Sequence, residues 1–199
     1  MTNGINRDFP EIDIKTYFED GLDWEDKKCF LRNKRKFLDL ICRVIKELGL
    51  CGKIEHLTVY TPFSDPPHTE ICRMDGPWPS KKLRLYIYKD RCRYLNERLL
   101  WHEFQHEADR WNKDMHYDFK TDKEWNNHWA WNLAANISVD ARLGKRGLGE
   151  EFRREDFIKT VGSEHVNIFE NAWTNRPETW PEINKLAKKL QGLGTRKIT

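Results

Sequence analysis

Apolar and polar positions alternate along this chain with two distinct periods. From about Trp24 to Leu48, apolar residues recur three and four apart, at Phe30, Phe37, Leu38, Ile41, Val44, Ile45 and Leu48. That spacing predicts an amphipathic helix, and Gly49 is placed to end it. Ile54 to Thr61 changes to a period of two, with Leu57, Val59 and Thr61 on one side, and reads as a strand. Leu83 to Tyr88 repeats the pattern, with Leu83, Leu85 and Ile87 facing one way and Arg84, Tyr86 and Tyr88 the other. Between these strands, Pro62 to Lys82 holds five of the eight prolines and reads as a long loop, functional or mobile.

The second half of the chain returns to helical spacing. One helix is expected from Asp90 or Tyr94 to Trp111. A second opens on the capping box Thr121-Asp122-Lys123-Glu124 and runs to Leu143, before Gly144. Further helices are expected near Glu150–Thr160, Glu164–Trp173 and Thr179–Leu190, the last with a capping box at Thr179-Trp180-Pro181-Glu182. Residues 1–22 read as a polar N-terminal arm, residues 23–145 as the core domain, and residues 146–199 as a helical extension packed on that core. The order of elements predicts an α+β domain with few strands.

Composition narrows the function classes. A chain of 199 residues suits one domain with a sizeable core. The 35 basic residues against 32 acidic ones leave a net charge of +3, which does not call for a nucleic-acid partner. The run Lys34-Arg35-Lys36 reads as a solvated helix face. Nine tryptophans favour an aromatic-heavy core or a ligand-stacking rim. Five cysteines without a C-x-x-C pair suggest neither a zinc ribbon nor a disulfide framework. No apolar leader opens the chain and no segment approaches a membrane span, so a cytoplasmic protein with no membrane partner is expected.

The chemistry is concentrated at Trp101-His102-Glu103-Phe104-Gln105-His106, an H-E-x-x-H pattern within a predicted helix. Residues four apart share a helix face, so His102 and His106 point the same way. Two imidazoles so placed can hold one zinc ion, with Glu103 beside it as general base. A catalytic zinc usually takes a third protein ligand. The candidates are Asp140, Asn136, His116, His128 and Asp109. Asn136 and Asp140 lie one turn apart in an apolar stretch, where polar groups are costly unless paired or coordinated. A carboxylate binds zinc better than an amide, which makes Asp140 the expected ligand, with Asn136 as its hydrogen-bond partner or a weak ligand. A purely structural role would pair Asp140 with Arg142 or Arg110. His128 is twelve residues from Asp140, about 18 Å along one helix, so the two exclude each other.

These residues resemble the core of the zincin metallopeptidases, where a strand precedes the H-E-x-x-H helix and a second helix packs across it. The resemblance covers residues 83–143 and implies a small zincin-like domain with a few-stranded antiparallel or mixed sheet. It also implies one zinc ion and hydrolysis of a peptide or protein substrate. In the gluzincin branch the second helix carries an acidic ligand. Trp131 to Asn136 is also similar to the W-N-I-A-A-D segment of predicted metallopeptidases associated with von Willebrand A-type domains. In both comparisons the acidic ligand falls at position 136, here an asparagine. Glu107 is a second departure, because zincins usually carry an uncharged residue there. Two alternatives stay open: an SprT-like DNA-associated protease with His116 as third ligand, and a non-catalytic metal-binding interaction protein. Tyr117, His128, Arg142 and His165 are candidates to stabilise an oxyanion. Leu83–Tyr88, if it is an edge strand, would pair with an extended substrate, with Tyr86 and Tyr88 on the rim.

Overall fold

Helix α1 (Trp24–Glu47) follows the apolar spacing: Phe37, Ile41, Val44, Ile45 and Leu48 are buried, while Lys34, Arg35 and Lys36 are exposed. It stops in a Schellman motif. Gly49, at φ +66°, donates its N–H to the Lys46 carbonyl, and Leu50 reaches back to the Ile45 carbonyl at 2.9 Å. Only a residue without a Cβ adopts that left-handed turn at little cost, and the buried Leu50 side chain closes the motif. The computed structural model describes residues 9–15, 24–63, 72–75, 81–88, 97–113, 128–148 and 154–193.

These residues form two compact units, Met1–Phe104 and Gln105–Thr199, and the division falls inside one helix. The first unit holds a four-stranded mixed sheet in the order β1-β2-β4-β3, with β1 Glu11–Lys15, β2 His56–Phe63, β3 Cys72–Asp75 and β4 Lys82–Tyr88. Strands β1, β2 and β4 run parallel, with Leu57 opposite Leu83 and Val59 opposite Leu85; all four side chains are buried. Strand β3 is antiparallel to β4. Of the two expected sheet types, the mixed one forms and the purely antiparallel one does not.

Three expectations need correction here. The arm contains β1, because Ile12 and Ile14 alternate with polar residues and pair with β2 in register. The proline-rich loop contains β3, a four-residue strand whose hydrogen bonds come wholly from β4. Strand β4 is therefore internal, flanked on both sides, and has no free edge for a substrate strand. The expected capping box at Thr121 lies outside the described residues.

The second unit is helical. Helix α2 (Glu97–Lys113) begins in the first unit and ends here; α3 is His128–Gly144, α4 Arg154–Val161, α5 Val166–Asn175 and α6 Trp180–Gln191, with a 3-10 turn at Ser163–His165. Helix α3 is apolar nearly all round and buries Ala130, Leu133, Ala134 and Ile137 against Phe157, Phe169, Ile183 and Leu186 of the later helices. Trp129, Trp131, Trp173 and Trp180 pack against this core: Trp131 stacks on Trp180 at 4.8 Å, and Trp173 on Phe169 at 5.4 Å. Helix α6 opens on the expected capping box, in which Glu182 accepts the Thr179 N–H at 2.9 Å. Among the described residues, no helix is long and apolar enough to cross a membrane.

Gly162 joins α4 to the 3-10 turn at φ +119°, ψ +149°, a conformation almost confined to glycine. Its N–H reaches the Ile158 carbonyl at 2.9 Å, so the turn is held from both sides. Gly162→Ala is expected to lower stability by about 1–3 kcal/mol in urea unfolding. An unchanged midpoint would show that the turn relaxes freely.

Candidate metal centre

Helix α2 carries the motif as one continuous element. Its first turn is anchored through Glu97, whose Oε1 accepts from Arg43 Nη2 at 2.6 Å and from Trp101 Nε1 at 3.1 Å. A carboxylate in that position also suits the positive end of the helix dipole. Leu99, Leu100, Trp101 and Phe104 are buried, and His102 is buried with them. Glu103 and His106 are half-buried. His102 and His106 stand one turn apart on this helix, as the four-residue spacing requires.

Helix α3 meets the second histidine directly. His106 Nε2 lies 3.0 Å from Asn136 Oδ1. The amide oxygen accepts when the imidazole carries its proton on Nε2. Position 136 is where both sequence comparisons place the second helix's ligand. The separation is close to the about 3.3 Å expected between two ligand atoms of a tetrahedral zinc with bonds near 2.05 Å. An imidazole nitrogen and an amide oxygen are both donor types that a borderline metal such as zinc accepts. Asp140 is one turn further along α3 and almost wholly buried, at 1% exposure. Among the described residues, no three His, Cys, Asp or Glu side chains are grouped so as to hold a metal. His106 is met by the amide of Asn136.

The acids beyond the motif have structural partners. Asp109 receives a bidentate pair from Arg142, with Nη1 to Oδ1 at 2.8 Å and Nη2 to Oδ2, and both side chains are more than nine-tenths buried. Gln105 Nε2 adds a third donor to Asp109 at 3.1 Å, and Arg142 Nε also donates to the Ser138 carbonyl. Arg142, a candidate oxyanion donor in the sequence, is committed to this pair, and so is Asp109, a candidate ligand. Glu107 is buried and bonded to Arg110 at 2.9 Å. Burial pushes its carboxyl above the ordinary range, and Arg110 opposes that shift. The two arginines expected to neutralise Asp140 are therefore engaged by Asp109 and Glu107.

The remaining candidates lie elsewhere. His128 is exposed at the first residue of α3, and His165 sits in the 3-10 turn, 4.0 Å from Glu164. His116, Tyr117, and the side chains of Tyr86 and Tyr88 are outside the described residues. No protein-family model matches the chain, and neither a curated protein nor a solved structure is similar to it.

Two outcomes follow from these pairs. Arg142→Ala leaves a buried carboxylate uncompensated and is expected to cost about 3–5 kcal/mol, whereas an Asp109→Leu, Arg142→Met double change recovers most of it. A double variant as unstable as the single one would refute the ion-pair account. Glu107, with its folded pKa raised, destabilises the fold as pH climbs from the ordinary carboxylate range through the raised value, and the loss then levels off. Glu107→Gln should flatten the stability–pH profile over that interval, measured by urea midpoints from pH 4 upward.

Proposed function

We propose that this chain is a zinc-dependent peptidase of zincin type, acting on peptide or protein substrates in the cytoplasm. One observation carries the reading: the contact of His106 with Asn136 brings the second helix of the predicted core to the motif at the position expected of a ligand. The order of β4, α2 and α3 supports it, as do the free thiols of Cys42 and Cys51.

In this reading His102 and His106 hold the ion and α3 supplies the third ligand. Geometry favours the amide oxygen of Asn136, and charge favours the carboxylate of Asp140. A bound zinc supplies Lewis acidity, lowering the pKa of water and polarising a carbonyl. The remaining work falls to the chain. Glu103 takes the general-base position of the H-E-x-x-H pattern. There it accepts a proton from the attacking water and returns it to the leaving amine. The Arg142–Asp109 pair holds α3 so that Asn136 stays against His106.

A second reading has a specific observation behind it. The His106–Asn136 bond ties α2 directly to α3, which suits a non-catalytic metal-binding interaction protein that keeps the site for stability.

The tests separate these readings. Purified protein should carry about one zinc per chain by elemental analysis, and the His102→Ala, His106→Ala double variant none. Equal metal in both samples would remove the metal centre altogether. Glu103→Gln should retain zinc and fold yet cut a peptide library at least about 100-fold more slowly. Zinc-loaded wild type that cleaves nothing would leave the non-catalytic reading. Asp140→Ala and Asn136→Ala decide the third ligand, since the true ligand's loss weakens zinc binding far more than the about 10–100-fold typical of a supporting residue.

A further inference from the structure

Helices α5 and α6 both pack on α3 and leave a groove of about 210 Å³ between them. Its floor is apolar, formed by Ile168 and Ala172 of α5 and Leu186 of α6. One rim carries Asn171 and Asn175, and the other Lys185 and Lys189. The groove lies wholly within the helical unit and shares no residue with the metal centre.

The rims have unspent polar capacity. Asn175 Nδ2 donates to Asn171 Oδ1 at 2.6 Å, which leaves the Asn171 amide N–H groups and the Asn175 carbonyl for a ligand. Residues four apart on a helix stand about 6 Å from one another, close to the about 6.8 Å two-residue repeat of an extended chain. Lys185, Lys188 and Lys189 are exposed and make no ion pair among the described residues. Elsewhere in this unit surface charges do pair, as Arg154 with Glu170 at 3.1 Å. Lys185, Lys188 and Lys189 also line a wider adjoining hollow with Asn184, whose Oδ1 is buried without a hydrogen-bond partner. The one acid on the groove, Glu182, is held in the capping box by the Thr179 N–H and hydroxyl.

We propose that this groove binds an extended acidic peptide segment carrying one aliphatic side chain. The asparagine pair offers a donor and an acceptor to the segment's backbone. The lysines meet its carboxylates, and the aliphatic side chain covers Ile168, Ala172 and Leu186. A small anion would leave that floor exposed, and a basic segment would be repelled by three uncompensated lysines.

Fluorescence anisotropy with a labelled Asp-Glu-Asp-Leu-Glu-Asp-Glu peptide tests this on the full chain. Binding should weaken at least tenfold in the Lys185→Glu, Lys189→Glu double variant, with folding checked by circular dichroism. Lys34→Glu on α1 should leave it unchanged. Replacing the peptide's leucine with serine should cost about tenfold, as expected for losing a buried aliphatic side chain. Equal affinity for the serine peptide would reduce the contact to general charge attraction and overturn the groove. Tighter binding of single-stranded DNA or of phosphatidylserine vesicles through the same lysines would overturn the peptide assignment. The His102→Ala, His106→Ala variant should bind the peptide like wild type, so failure of the metal reading and failure of this one are separate results.

Discussion

The pair formed by Asp109 and Arg142 is the contact on which the candidate site depends. Removing both charges from water is costly and is offset only when every lone pair and proton finds a partner. Here the carboxylate takes both guanidinium nitrogens and the Gln105 amide, while Arg142 Nε is satisfied by the Ser138 carbonyl. Such a fork tolerates little rotation of either helix. Asp109 is three residues past His106 and Arg142 is six past Asn136, so the same geometry that satisfies the ion pair holds the imidazole against the amide. Structural and chemical groups thus occupy one helix contact, and the structural ones set its register.

Helix α3 makes this possible through its composition. Ala130, Ala134, Ala135 and Ala141 present little bulk, and all are buried. Neighbouring helices can approach closely, and the large residues that fill the core, Phe157 and Phe169 among them, come from those neighbours. Ser138, fully buried, donates to the Pro177 carbonyl at 2.6 Å and so ties the turn after α5 to the same helix. A helix buried on nearly every side can carry polar residues only where each is met by a partner. Asn136 meets that requirement through His106.

The acids after the motif change what the site is made of. Glu107 and Asp109 sit within three residues of His106, yet both are consumed by arginines. On α3 the neutral amide of Asn136 meets His106, and the buried carboxylate of Asp140 lies one turn further along. In the proposed reading, an amide stands at position 136 where an acid is expected, so the third ligand is the point that decides that reading.

The elements whose stability is local were legible in the order of residues. The apolar repeat of α1 and its Gly49 stop, the alternation in β4, the Thr179–Glu182 capping box and the common face of His102 and His106 all follow from contacts within a few residues. What the sequence left hidden is non-local. Strand β1 lay in a segment whose polar surroundings masked the alternation of Ile12 and Ile14, and β3 is too short to show a period; each exists only because a neighbouring strand pairs with it. The internal place of β4 depends on that pairing as well. Asp109, Glu107 and Arg142 were visible as charges, but an ion pair spanning thirty-three residues has no spacing rule. That Asn136 meets His106 depends on the packing of α2 on α3, which no spacing in the chain reports.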